Sequence, residues 1–385
     1  MKITGIFLNS QIRTGGHRRY IELMEGLAKR GNSVLLIANS SLDLHLKNMT
    51  ILPLDYKHKK KLVPFSIQFM RLLKKHRQKI KEDGKGSDYI MVHGETHFPA
   101  GTYLKKILSA KLFYAVRSDA VTESETFLKS PAEPFRKKIK YFLDVIKYKK
   151  YEKMISHRAD IIAFQSKIDY NNFRSRTGVD ENKCCIIKGN IGEPWFRKEN
   201  ENINHSESLK KVLYIGAIGE RKGIPYLIDA FRILHERNIP LHLELVGRES
   251  ALALEMMQYI NRNGFSGMVT FAGYSPDPFI YMKDADMLVV PSIFDSYPDV
   301  ILEGLHAGIP VIASRVGGIP DILEDERLLF PPADSAYLAD LLEKLYTSPE
   351  VYKKYRSLCA EYKEKFHFDW PEKWEDEMKK HLQKL

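Results

Sequence analysis

Residues 291–320 read PSIFDSYPDVILEGLHAGIPVIASRVGGIP, and the order of residue types in this stretch decides the fold. Just upstream, Asp286-Met-Leu-Val-Val-Pro291 is a short apolar run bounded by Asp and Pro, which has the length and composition of a buried strand. Asp299 then stands where an N-cap is expected, and Val300 opens a helix that carries Glu303. Leu302, Leu305 and His306 follow at helical spacing until Gly308 stops the helix. Val311-Ile-Ala313 is the next buried strand, and Gly317-Gly318 turns the chain at the same edge. Asp295 lies on the loop and Glu303 about one turn into the helix. This layout suits a polyhydroxylated, anionic ligand. A helix N-terminus and free loop N–H groups receive phosphate, carboxylates accept hydrogen bonds from sugar hydroxyls, and glycines let the backbone come close.

Working outward, the same strand and glycine grammar recurs on the C-terminal side. Val212-Leu-Tyr-Ile-Gly216 is a strand followed by a loop from Ala217 that carries Arg221, Lys222 and Gly223. A helix through Leu227, Ile228, Ala230, Phe231 and Leu234 comes next. Leu243 to Gly247 and Val269 to Gly273 are two more strands ending in glycine, the second followed by Tyr274. Asp284-Ala-Asp286 has the spacing of a metal-binding Asp-x-Asp, but it precedes a buried strand instead of following one, so it reads as a strand entry. Leu328-Leu-Phe330 closes the sheet, helical patterns run from Ala336 to Phe366, and Trp370, Trp374 and Leu382 mark a last amphipathic helix.

On the N-terminal side, Lys2 to Leu8 is a first strand and Asn9 to Gly16 a loop ending in Gly15-Gly16, followed by His17. Tyr20, Leu23, Met24, Leu27 and Ala28 define an amphipathic helix closed by Gly31, and Val34 to Ala38 is the second strand. This is a βαβ opening with its glycine loop at the carboxyl end of a strand, and it is not the G-x-G-x-x-G of dinucleotide enzymes. Tyr89 to His93 and Leu112 to Val116 are two further buried strands, whose ends carry His93, Glu95 and His97, then Arg117, Ser118 and Asp119. His93 and His97 have no evident third ligand, so no metal is expected. The polar run 198–209 is the expected linker between an N-terminal domain, 1–197, and a C-terminal domain, 210–366, with a terminal helix over 367–385 crossing back to the first.

Composition bounds the class. The 385 residues are 44% hydrophobic and 28% charged, enough for two globular cores. Three cysteines make neither a disulfide framework nor a zinc spacing and fit a reducing compartment. The apolar start is too short for a signal-peptide core and no run approaches a spanning helix, so a cytoplasmic location is expected. The net charge of +11 is uneven: 39 Lys and Arg face 20 Asp and Glu up to Asn200, and 21 face 29 beyond it. Lys59, Lys60 and Lys61 head one basic cluster, and Lys137, Lys138 and Lys140 another, both with interleaved aromatic and aliphatic residues. These clusters read as solvated helix faces or as a surface peripheral to anionic lipid. Nucleic acid is not expected, because no recognition module accompanies the charge.

The segment 291–320 resembles the Glu-x7-Glu region of the retaining glycosyltransferases of the group 1, or family 4, type, with Asp295 standing where that family usually has Glu. The resemblance implies two Rossmann-like doubly wound α/β domains facing a cleft, the GT-B fold. It further implies metal-independent, retaining transfer from a nucleotide-sugar, UDP-linked by preference, to a glycan, lipid-linked or cell-surface polymer acceptor. Asp295 and the loop Ser296-Tyr297-Pro298 would orient the sugar, and Glu303 the ribose. Lys222 and Arg221 would hold the diphosphate, with Gly15, Gly16 and the helix start at Asp299 and Val300. Gly216, Gly247, Gly273 and Tyr274 would line the donor site, with His17, His93 and Arg117 on the acceptor or sugar side. The family's usual diphosphate Arg falls at Ala217 and its usual sugar-contacting His near Arg117. A catalytically silent nucleotide-sugar-binding accessory protein on the same fold is therefore the alternative, with an epimerase of related architecture a third reading.

Overall fold

Every hydrogen-bonded strand pair among the described residues of the computed structural model is parallel. The structure describes residues 1–12, 15–42, 49–56, 65–131, 133–191, 206–248 and 250–383. Lys59, Lys60, Lys61 and residues 198–205 of the expected linker lie outside them. Parallel strands need crossover connections, which is why helical and strand patterns alternate along the sequence.

The chain divides into two units, Met1–Lys188 with Asp369–Leu385, and Gly189–Phe368. The first contains β1 (Lys2–Phe7), α1 (Gly15–Lys29), β2 (Ser33–Asn39), β3 (Thr50–Leu54), α2 (Phe65–Lys75), α3 (Arg77–Asp83) and β4 (Tyr89–His93). It continues with α4 (Phe98–Leu108), β5 (Lys111–Ala115), α5 (Ala120–Lys129), α6 (Phe135–Arg158), β6 (Ile161–Phe164), α7 (Lys167–Thr177) and β7 (Cys184–Ile186). Its sheet runs β3-β2-β1-β4-β5-β6-β7. The second unit contains β8 (Lys211–Ile215), α8 (Ile224–Glu236), β9 (His242–Val246), α9 (Ala251–Arg262), β10 (Val269–Gly273) and α10 (Phe279–Lys283). Then come β11 (Met287–Val290), α11 (Asp299–His306), β12 (Val311–Ser314), β13 (Leu329–Phe330), α12 (Ser335–Thr347) and α13 (Pro349–Lys365). Its sheet runs β10-β9-β8-β11-β12-β13. The final helix, α14 (Trp370–Gln383), belongs to the first unit.

Both sheets are doubly wound, and the strand order reverses between β1 and β4 in one and between β8 and β11 in the other. At such a reversal the loops leave the carboxyl edge in opposite directions and open a crevice. Each sheet has its own core. Ile6, Leu35, Ile37, Phe98, Leu104 and Phe173 are buried in the first unit, and Leu213, Leu227, Phe231, Leu288, Leu302 and Ile312 in the second.

Three details depart from the sequence reading. The strand β3 was not expected: its five residues contain Pro53, which is tolerated because β3 is the sheet's edge. The strand that the family resemblance places at Ile186-Ile-Lys-Gly-Asn190, ahead of the linker, falls at Cys184–Ile186. Asp299 is the first helical residue of α11 and not its N-cap, because Pro298 takes that place in extended conformation. The Asp299 carboxylate thus lies in the first turn, where it favours the helix dipole. Gly304 lets α11 press onto the sheet, since a Cβ there would stand 2.7 Å from Leu288 Cδ2 and 3.0 Å from Val311 Cγ2.

Candidate active site

In the second unit the carboxyl edge at the strand reversal joins two loops, β8–α8 and β11–α11. Gly223 caps α8 with φ +72°, and a Cβ there would lie 1.7 Å from the Pro291 carbonyl oxygen, so the loops are pressed together as only glycine allows. The Ile293 N–H donates to the Arg221 carbonyl at 2.9 Å, and the Arg221 guanidinium donates to the Phe294 carbonyl at 3.1 Å. Arg221 thereby ties the two loops together through its carbonyl and its Nη1. With both loops fixed, the Lys222 ammonium forms an ion pair with Asp295 Oδ2. Ser292 donates to the same carboxylate oxygen at 3.4 Å, and Ser314, at the end of β12, donates to the Ser292 carbonyl. Gly317, with φ +50°, brings its own turn against Asp295: a Cβ would lie 1.9 Å from the Asp295 carbonyl oxygen, which also accepts from Gly318 N–H at 3.2 Å.

Three glycines line the same edge on adjacent strands. Gly216 N–H donates to Val246 and Gly247 N–H to Gly273, and a Cβ on Gly247 would meet the Gly216 carbonyl oxygen at 1.9 Å. Beyond them Tyr274 is 62% exposed, with the Arg248 guanidinium 4.8 Å from its ring centre. An exposed ring backed by a cation is a platform for a flat heterocycle. Glu303 and His306 are buried on α11. Ser296, Tyr297 and Pro298 are also buried, and Tyr297 and Val300 pack with the core, so the phenol and the isopropyl group serve the fold. The Asp286 carboxylate accepts the backbone N–H groups of Lys210 and Lys211 at 2.8 and 2.7 Å, which makes it a strand-entry clamp.

In the first unit the strand reversal gathers Gly16, His17, His93 and Arg117. A Cβ on Gly16 would lie 3.2 Å from Arg117 Nε and 3.5 Å from His93 Cε1. Arg117 Nη1 and Asn9 Nδ2 stand 3.4 and 3.2 Å from His17 Nε2. A guanidinium only donates, so Nε2 is the acceptor and the His17 proton sits on Nδ1. His93 stacks on Tyr20 at 5.4 Å, and burial, with the neighbouring Arg117 and His17, pushes its pKa down to about 3. His97, which sequence reasoning placed near the site without a role, is buried between Phe7 and Phe69 and accepts from Leu8 N–H at 3.4 Å. Burial lowers its pKa to about 4. Both rings are therefore neutral near pH 7 and can donate or accept a hydrogen bond without carrying charge.

This has a consequence for stability. The unfolded chain protonates these histidines near pH 6.5 and the folded chain only near 4 or below, so stability is complete above pH 6.5 and is lost as pH falls toward 4. His97→Gln is expected to flatten that loss by up to about 1.4 kcal/mol per pH unit within the window. Melting temperatures at pH 7.5 and 5 would show it, and an unchanged slope in the variant would remove His97 from the account.

Residues 196–365, in the second unit, match the family model described as glycosyl transferases group 1, and the fold of the chain is that of the GT-B glycosyltransferases. The O-antigen chain mannosyltransferase B of Escherichia coli is 32% identical over 139 residues, which cover 35% of this chain and 36% of that protein. The chain spans about two fifths of the length of the curated relatives it matches. In fold it is similar over the whole of both chains to sucrose-phosphate synthase from Thermosynechococcus elongatus, with TM-score 0.77 and 19% identity. Anabaena HepE, solved in complex with UDP, gives TM-score 0.69 at 17% identity, again over both chains in full.

Proposed function

We propose that this protein is a retaining, metal-independent glycosyltransferase that moves a sugar from a UDP-sugar to a glycan or lipid-linked acceptor. The observation that carries the reading is the meeting of Lys222 and Asp295 at the β8/β11 strand reversal, inside the segment matched by the family. Lys222 offsets charge growing on the departing diphosphate, aided by the first-turn N–H groups of α11. Asp295 accepts from donor sugar hydroxyls, and Glu303 from the ribose. The bond between the anomeric carbon and the diphosphate oxygen breaks, and the acceptor oxygen bonds to the same face of that carbon. The acceptor proton passes to the leaving phosphate, so no separate protein base is required. In the second unit Tyr274 and Arg248 offer the surface for the base, and the first unit gathers its own polar groups, Gly16, His17, His93 and Arg117, suited to an acceptor's hydroxyls. That HepE was solved with UDP supports the choice of donor class.

The test is a thermal-shift and turnover panel of UDP-, GDP- and ADP-sugars, each with Mg2+ and with a chelator, and NMR of the product's anomeric configuration. A shift and nucleotide release with UDP-sugars, indifferent to chelator and giving retained configuration, is expected. Inverted product would end the mechanism, and binding without release in the presence of glycan and lipid-linked acceptors would favour a silent accessory protein.

A further inference from the structure

Among the described residues twelve large hydrophobic side chains are exposed, and five of them lie on one face of α6 within residues 135–146. Phe135, Ile139, Phe142, Leu143 and Ile146 are 78, 47, 53, 58 and 53% exposed. Their spacing of four, three, one and three residues keeps them on one stripe of the helix, about 17 Å long. The opposite face is occupied: Tyr141 stacks on Phe127, Glu152 pairs with Arg176, and Ile155 is in the core. The stripe is thus surplus to what the fold needs for packing, and a contiguous apolar patch left in solvent marks a surface used for something else.

The charges around it define the partner. Lys137, Lys147 and Lys149 are tied to Glu133, Asp144 and Glu125. Arg136, Lys138, Lys150 and Lys153 have no carboxylate partner among the described residues. Lys150 and Lys153 continue the apolar stripe toward the C-terminal end of α6, since 150 and 153 follow 146 at helical spacing. A second copy of the chain on this face would set these cations against their equivalents. An anionic bilayer receives both features at once, the apolar side chains at the acyl boundary and the cations among the headgroups.

We propose that this face of α6 is a membrane-docking surface, on which the five apolar side chains enter an anionic bilayer and Arg136, Lys138, Lys150 and Lys153 engage its headgroups. Of the lysines expected to face a membrane, Lys138 belongs to this set, Lys137 is paired and Lys140 leans on the Tyr141 ring at 5.7 Å, and the aliphatic and Phe side chains beside them provide the apolar anchor. No helix of the described residues is long and apolar enough to cross a membrane, so the attachment is peripheral. The inference does not depend on the transferase reading.

Co-sedimentation of the intact protein with phosphatidylcholine vesicles, with and without phosphatidylglycerol, tests it. Wild type is expected on the anionic vesicles only. Phe142→Ser with Leu143→Ser and Ile146→Ser, and separately Lys138→Glu with Lys150→Glu, are expected to lower partitioning at least about tenfold while the melting temperature stays near wild type. Wild type remaining in the supernatant overturns the proposal, as does equal partitioning of the apolar variant. Dissociation of a dimer by the apolar variant in sedimentation velocity, without lipid binding, would assign the face to a second copy instead.

Discussion

Lys222→Ala is expected to lower kcat/KM by about 10²- to 10³-fold, the loss that follows removal of one preorganised partner of developing charge. The argument rests on the economy of the loops. Arg221 Nη1 holds the Phe294 carbonyl and the stretch after β8 has Ala217 where a second cation would stand, so in the proposed mechanism the diphosphate's charge on this edge falls chiefly to Lys222. Before donor binds, its partner is Asp295. A phosphate that displaces that carboxylate frees Asp295 to accept sugar hydroxyls, so the pair exchanges partners when the donor arrives. The two substitutions should then differ. Lys222→Ala should act chiefly on kcat, since the charge it meets grows toward the transition state, whereas Asp295→Asn should act on both KM and kcat. The double variant should be little worse than Lys222→Ala, because groups acting as a unit are not additive. Lys222→Arg, which keeps the charge but not the compact shape, should recover part of the loss. Full activity in Lys222→Ala, with an unaltered melt, would sink the site as described.

Much of this site was legible because strand ends announce themselves. The apolar run before Pro291, the glycines at 216, 247, 273 and 317 and the helical spacing after Val300 are local signals, and each falls where the structure has a strand end or a turn. What local signals do not contain is adjacency. Lys222 and Asp295 are 73 residues apart, and they meet because β8 and β11 are neighbours at the strand reversal, a fact of sheet order. The same holds for Gly16, His93 and Arg117, which come from the first turn of α1, the end of β4 and the loop after β5. Burial was the other gap. Tyr297 lies in the loop after Asp295, where a sugar ligand was expected, yet its ring belongs to the core. On α6 the aromatic and aliphatic residues interleave with lysines all round the helix, and only packing separates the inward Tyr141 from the outward Phe142. Pro53 masked β3 because a proline argues against a strand unless the strand is known to be an edge.

Arg30→Ala is expected to destabilise the first unit by about 1–3 kcal/mol, below the ~3–5 kcal/mol for a fully buried pair because only Glu375 of its three partners is buried. Arg30, at the end of α1, donates to three carboxylates at the start of α14: Nε to Glu375 at 2.7 Å, Nη1 to Asp369 at 2.6 Å and Nη2 to Glu372 at 3.0 Å. Glu375 is the buried member, its side chain 7% exposed, and it also receives Asn32 at 3.2 Å and Lys379 at 2.9 Å. Burial by itself would raise its pKa, but the hydrogen bonds from Arg30, Lys379 and Asn32 outweigh it and hold the carboxyl at about 2. Around this ion cluster α14 closes the apolar side of the sheet. Trp374 packs on Phe113 at 5.4 Å, Arg19 lies 4.1 Å over Trp370, and Tyr89 donates to the Met378 carbonyl at 2.8 Å. A Cβ on Gly26 would stand 2.3 Å from Pro371, so the helix is seated with no room to shift. The pH dependence distinguishes this pair from general packing. A carboxylate held low contributes its stability above the unfolded value of about 4.5 and loses it as pH falls toward 2, so the gap between wild type and Arg30→Ala should narrow over that window. Urea unfolding followed by the fluorescence of Trp370 and Trp374, both on α14, reads the helix directly. A gap of the same size at pH 6 and pH 3 would mean that Arg30 acts through its packed methylenes, and that Glu375 takes its low pKa from Lys379 and Asn32 alone.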